Sequence, residues 1–294
     1  MAITAAPSST VPRGPVTAKI NFNARPAPGV VAFNYVDKPP AGLPQRNLAI
    51  DTHEVNIIDV RGRESEYSLD RDAFQIVQGL PPSAEEIPGG PGSGFTDDAS
   101  IAKNYYPEVE KLLLDAIPGS NRVFIFDHTI RRADPNAPRR AVLLAHIDQT
   151  PFSAEKRVRR HLGDDAEKLL KGRYRIVNVW RTLNKNPVEA SPLAFASSST
   201  LSDDDVIPVE HRYPEGYVGQ TAAIAYNPNQ KWHYLSGMTG DERLLLECFD
   251  SEGTKENSGV AGGRLPHTAF EDPRTRPDAE GRESIEVRAL VFGP

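Results

Sequence analysis

His146 and Asp148 stand one residue apart at the end of the apolar run LLAHIDQT (143–150). In an extended strand successive side chains alternate between faces, so this histidine and aspartate share one face and Ile147 takes the other. An imidazole beside a carboxylate can hold a divalent metal ion. Placing both at the mouth of a buried strand costs free energy unless something binds them. A third ligand has to come from elsewhere in the chain.

The remaining histidines are His53, His128, His161, His211, His233 and His267. His161 follows Arg157, Arg159 and Arg160 and is expected to face water. His211 sits in a polar turn, EHRYP, and His233 alternates with Trp232 and Tyr234 as a candidate to point inward. His53 and His128 stay open on chemistry alone. His267 has the best context, in RLPHTAFEDP (264–273), with a proline before it and Phe270 after it. Shortly beyond comes RESIEVRALVF (282–292), an alternating strand pattern. There Arg282, Ser284, Glu286 and Arg288 share one face and Ile285, Val287 and Ala289 the other. A guanidinium fork and a hydroxyl two residues apart can clamp one carboxylate.

Each of these features alone is commonplace. An isolated His-x-Asp usually marks a hydrogen-bonded or surface pair, and Arg282 or Arg288 alone would be a solvated strand residue. The ordered set carries the reading: His-x-Asp, a distant His, then Arg-x-Ser. Two histidines and one carboxylate leave three adjacent positions open on an iron, the arrangement of non-heme Fe(II) oxygenases. Two of those positions suit a 2-oxo acid and the third suits dioxygen.

Such residues need a scaffold of short strands, and the composition predicts one. Prolines number 26 in 294 residues, about 9 % against a typical ~5 %. In clusters such as GLPPSAEEIPGGPGSG (79–94) they forbid long helices. Strands are expected at 54–60, 122–128, 141–148, 174–180, 192–197, 219–226, 231–235, 242–250 and 283–292. Helices are expected at 105–117 and at 153–172, the latter capped by Ser153 and closed by Gly172. The fold class is mainly β, a barrel or jelly roll with a few flanking helices. Residues 1–16 read as a flexible arm and 17–294 as a single domain, irregular and helical over 17–120, with the β core over 121–294.

The 38 % hydrophobic and 25 % charged content and the mild net charge of -6 suit a soluble globular chain and argue against a nucleic-acid surface. Cys248 is the sole cysteine, which excludes an intrachain disulfide and fits a reducing, cytoplasmic setting. No apolar run approaches the ~18 residues of a membrane span. The expected partner is a small-molecule substrate, with a homodimer as the commonest soluble assembly. No G-x-S-x-G elbow supports a serine hydrolase.

FDHTIRR (126–132), HIDQT (146–150), NVWRTL (178–183), FDSEG (249–253), PHTAFEDP (266–273) and RESIEVRAL (282–290) together resemble the CmcJ/AsaB-type hydroxylase/desaturase family, mostly fungal enzymes of secondary metabolism. The likeness runs from about residue 52 to the C-terminus. It departs at RTL (181–183), where Arg-Pro-Leu is expected. The resemblance implies a double-stranded β-helix that uses Fe(II), 2-oxoglutarate and O2 to hydroxylate or desaturate an unactivated carbon. It implies iron ligands His146, Asp148 and His267, with Arg282 and Ser284 on the distal carboxylate of 2-oxoglutarate. Asn178, Trp180, Arg181 and Tyr226 are further pocket candidates. The alternatives are an accessory or binding protein with the same barrel, and a metal-dependent enzyme that does without 2-oxoglutarate.

Overall fold

Short aliphatic runs separated by proline and glycine give many strands and few helices. The computed structural model describes residues 11–134, 137 and 139–293. Its strands in chain order are β1 (Val16–Asn23), β2 (Ala32–Tyr35), β3 (Ile50–Asp59), β4 (Phe74–Val77), β5 (Arg122–Arg131), β6 (His146–Ile147) and β7 (Tyr174–Thr182). They continue with β8 (Leu193–Ala196), β9 (Val206–Arg212), β10 (Val218–Ile224), β11 (Trp232–Tyr234), β12 (Arg243–Asp250), β13 (His267–Ala269) and β14 (Ser284–Phe292). The helices are α1 (Leu69–Asp72), α2 (Asp98–Asn104), α3 (Tyr106–Ala116), α4 (Pro151–Leu162) and α5 (Ala166–Leu169). Two curled sheets form the jelly roll, one ordered β1-β3-β11-β8-β13-β6-β10-β9-β2 and the other β4-β12-β7-β14-β5.

β14 shows how polarity sorts the layers. It lies between β7 and β5, pairing antiparallel with both. Its apolar face, Ile285, Val287, Ala289 and Val291, packs with Ile101, Tyr105, Val109 and Leu113 of α2, α3 and the residue joining them. Burying four such side chains is worth several kcal/mol. That leaves Ser284, Glu286 and Arg288 on the opposite face, toward the other sheet. In register with them stand Thr182, Trp180 and Asn178 of β7.

Several expectations need correction. Residues 17–120 hold α1, α2 and α3 but also strands, with β1, β2 and β3 in the larger sheet and β4 in the smaller. Residues 1–10 of the expected arm lie outside the described residues, and the rest of it is tied down. Arg13 Nη1 donates to the Ser236 carbonyl at 3.2 Å and Gly14 N–H to Asp59 Oδ2 at 2.8 Å. The strand expected over 141–148 contracts to His146 and Ile147, since only those two residues pair with β10 and β13. Val142 and Leu143 are instead 37 % and 40 % exposed.

The helix expected over 153–172 begins at Pro151, and its N-cap is Thr150, not Ser153. Ser153 N–H donates to Thr150 Oγ1 at 3.3 Å while Ser153 Oγ accepts from Thr150 N–H at 2.8 Å. This reciprocal box satisfies two donors that a helix start otherwise leaves free, with proline at the first helical position. Gly163, at φ 50°, ends α4 nine residues before Gly172.

Candidate metal and cosubstrate site

Register, not sequence proximity, brings the two key histidines together. In the larger sheet His233 of β11 lies opposite Phe195 of β8, Phe195 opposite His267 of β13, and His267 opposite His146 of β6. Directly opposed residues project to the same face. Four side chains therefore form one row, and the His146 and His267 ring centroids come within 4.5 Å. Just past the end of β6, Asp148 places Oδ1 3.4 Å from His146 Nε2. His146, Asp148 and His267 each offer a ligand atom, all within 4.8 Å of one another.

The donor atoms are already oriented. His146 Nδ1 donates to the Leu144 carbonyl at 2.8 Å and His267 Nδ1 to the Leu265 carbonyl at 3.0 Å. Each ring thus spends its Nδ1 hydrogen on a carbonyl two residues upstream and keeps Nε2 for the centre, the usual second partner of a ligating histidine. Asp148 Oδ2 accepts from Asn178 Nδ2 at 2.8 Å, and Arg288 Nη1 stands 3.9 Å from the same oxygen. That leaves Oδ1 on the side of the imidazoles, with His146 Nε2 as its neighbour. Burial pushes His267 down to about 4, with the His146 charge acting in the same direction, so the ring is neutral at physiological pH. Burial works against the His146 cation as well, but Asp148 more than offsets it and holds that ring above its ordinary value. Burial opposes the Asp148 carboxylate too, yet the hydrogen bond from His146 and the His146 and Arg288 charges hold it well below the usual range. Two imidazoles and one carboxylate so arranged fit an octahedral metal with open positions.

Asn178 is fully buried, and the acceptor-only carboxylate fixes its amide with Nδ2 toward Asp148, leaving Oδ1 without a partner among the described residues. Asn178→Ala is expected to weaken Co(II) or Fe(II) binding by about 10- to 100-fold, the usual cost of removing a residue that orients a ligand. Chelator competition on the folded variant measures it. An unchanged affinity would mean that Arg288 alone sets the carboxylate.

Beside the donor set lies a small cavity bounded also by Trp180, Arg131, Arg282 and Glu286. Arg282 is 7 % exposed; its Nη1 donates to the Ser191 carbonyl at 2.9 Å, and its Nε has no partner among the described residues. Its guanidinium lies 5.7 Å from the Trp180 ring centroid, a cation–π distance. Burial, with nearby Arg131 adding to it, pulls the guanidinium down to about 10. The guanidinium is held by a neutral carbonyl and faces a second arginine; Glu286 offsets part of this, but among the described residues no carboxylate lies within 4.0 Å of it. Ser284, 1 % exposed, lies opposite Arg131 in the β14–β5 register. The residues present fit a dicarboxylate with one end at the metal donors and the other at Arg282.

The other candidates fall elsewhere. Trp180 and Asn178 face the site, whereas Arg181, opposite Ile285 in register, turns to the outer layer and donates to Glu86 at 2.7 Å. Tyr226 stacks on His53 at 3.7 Å between centroids, which removes both from the centre. His128 bonds Tyr106 at 2.8 Å. His161, expected to face water, is only partly exposed, with its ring 5.5 and 5.7 Å from Phe124 and Phe126. His211 is on strand β9, not in a turn, and its Nε2 meets Thr221 Oγ1 at 2.9 Å. His233 sits at the far end of the row among Tyr67, Phe74 and Phe195.

Sequence reasoning missed Glu286 and Arg131 as wall residues. Glu286 was legible from its place between Ser284 and Arg288. Arg131 was not, because its facing depends on the β5–β14 register. Arg288, read as solvated if taken alone, bonds Asp127 at 2.6 Å and Glu286 at 2.9 Å.

Residues 20–292 match a family described as an oxidoreductase/YMDC permease-like domain. The chain is 39 % identical to hydroxylase/desaturase poxK of Penicillium oxalicum, over 96 % of this chain and 92 % of that protein. It is 41 % identical to hydroxylase/desaturase asaB of Aspergillus flavus, over 44 % of this chain and 59 % of that protein. Among solved structures it superposes on the iron and alpha-ketoglutarate-dependent endoperoxidase NvfI. That match has a TM-score of 0.82 at 28 % identity and covers 96 % of this chain and 99 % of that one.

Proposed function

The chain belongs to the hydroxylase/desaturase family of Fe(II)/2-oxoglutarate-dependent oxygenases, and from this we propose that His146, Asp148 and His267 hold its ferrous ion while Arg282 and Ser284 receive the far carboxylate of 2-oxoglutarate. It is an oxidoreductase acting on a small organic molecule of secondary metabolism, which it hydroxylates or desaturates. The observation that carries the site assignment is the cross-strand pairing of His146 with His267 beside Asp148, with both Nδ1 hydrogens committed elsewhere.

When bound, iron with 2-oxoglutarate and dioxygen supplies the oxidising power to remove hydrogen from an unactivated carbon, with succinate and carbon dioxide as co-products. The chain's own residues supply position. The Leu144 and Leu265 carbonyls fix the two imidazoles, and Asn178 and Arg288 hold the outer oxygen of Asp148. Arg282, lying against Trp180, sets the direction in which a dicarboxylate enters, and Ser284 offers a hydroxyl on the same side. His267 and Trp180, both 3 % exposed, shield one side of the centre from bulk water, while His146 and Asp148 stay partly exposed.

Anaerobic Fe(II) with 2-oxoglutarate should give a weak visible charge-transfer band, and admitting air should release succinate slowly without any substrate. EDTA should abolish both. Iron binding without band or succinate would instead identify a metal-dependent enzyme that does not use 2-oxoglutarate, and no iron binding would identify a non-catalytic barrel. Among the described residues no helix is long and apolar enough to cross a membrane.

A further inference from the structure

A second, larger cavity of about 370 Å³ opens on His146 and Asp148, and Arg282 is not among its lining residues. Its size falls in the range that encloses a small organic ligand. Phe33, Leu48, Val209 and Ala223, from β2, β9, β10 and the loop before β3, give it an apolar wall. Arg46 breaks that wall. It is half-buried, its Nε donates to the Leu48 carbonyl at 2.9 Å, and its Nη2 donates to Asn23 Oδ1 at 3.4 Å. Asn23 Nδ2 donates to the Ala145 carbonyl at 3.3 Å, which fixes the amide with its oxygen toward Arg46. Both partners of the guanidinium are neutral, and among the described residues no carboxylate lies within 4.0 Å of it.

An arginine that is oriented but not neutralised, in an apolar cavity, is arranged to receive an anion. Its partners pin the fork, so little rotamer freedom remains to be lost on binding. We infer that this cavity takes a substrate whose body is apolar and which carries one anionic oxygen group, a carboxylate or enolate, seated on Arg46. That contact turns the opposite end of the molecule toward His146 and Asp148, so Arg46 is a specificity-determining residue that sets which carbon is presented. The inference rests on the iron-site reading for what happens at that opposite end, but binding of the anion does not.

The test uses two fluorescent probes of like shape, 8-anilinonaphthalene-1-sulfonate and its neutral counterpart N-phenyl-1-naphthylamine, titrated into the full chain without metal. One-to-one binding of the sulfonate is expected. Arg46→Gln should weaken it by about tenfold or more, as loss of a charge-assisted hydrogen bond does. Arg46→Lys should retain most of the affinity, and the neutral probe should bind all three proteins alike. Equal affinity of the sulfonate for wild type and Arg46→Gln, equal weakening of both probes, or no saturable binding to wild type would overturn the inference. A Co(II) titration of the wild-type protein separates the two readings. Metal binding without the Arg46 effect sinks this inference alone, and the Arg46 effect without metal binding sinks the iron site alone.

Discussion

Alanine at His267 is expected to abolish iron binding and succinate formation, while alanine at His233 leaves both in place. The two histidines share one row on the same face of the larger sheet, so composition and burial do not separate them. Position within the row does. His267 opposes His146 directly, with ring centroids 4.5 Å apart. His233 is two strands further along, behind Phe195, with the Tyr67 ring 5.1 Å away. Losing a residue one shell out from a metal already costs about 10- to 100-fold in affinity, so losing a ligand should exceed ~100-fold. His233→Ala leaves a cavity in a packed aromatic cluster and should lower the melting temperature without changing the metal stoichiometry. Chelator competition and succinate assays on both folded variants decide the matter. Iron retained by His267→Ala and lost by His233→Ala would reverse the assignment.

The second large effect is at Arg282. Arg282→Ala should raise the 2-oxoglutarate KM while leaving iron affinity near that of wild type, because the role proposed for the guanidinium is to hold the cosubstrate and not the metal. Truncating one partner of a buried, hydrogen-bonded charge pair costs about 2–5 kcal/mol. At roughly 1.4 kcal/mol per decade that means a KM raised ~30-fold to a few thousand-fold. Arg282→Lys should recover part of the loss, since an ammonium keeps the charge but not the planar fork. The ratio of KM to kcat effects is the readout: a change confined to kcat would place Arg282 outside the cosubstrate site. Here, among the described residues, the cation has no carboxylate within 4.0 Å and its Nε is unbonded, with Arg131 nearby and Glu286 offsetting it only in part. Unliganded, that arrangement is destabilising, so an apolar replacement of matching shape should raise stability even as it destroys binding.

Much of the site is legible in the amino-acid sequence. The alternation in ESIEVRALVF marks which residues share a face, and β14 obeys it, with Ile285, Val287 and Ala289 packed under α2 and α3. The same alternation in YRIVNVW puts Asn178 and Trp180 together. Carried one residue further, it turns Arg181 away, and there the side chain bonds Glu86. Misreadings cluster where the local signal is weak. Strand β9, VIPVEHR, holds a proline, so His211 resembles a turn residue. LLAHIDQT resembles a full strand because it is apolar, but pairing partners exist for only two of its residues.

By itself the sequence determined the residue types, their order, and which neighbours along a strand share a face, because backbone geometry fixes those within a few residues. It thereby determined His146 beside Asp148, Arg282 before Ser284, and a chain built of short strands. Tertiary structure alone decided that His267 is the histidine opposite His146, that Asn178 holds Asp148, and that Arg46 borders a separate cavity. Those relations are set by the register between strands far apart in the chain. A shift of one residue in that register would point the same side chain to the opposite face.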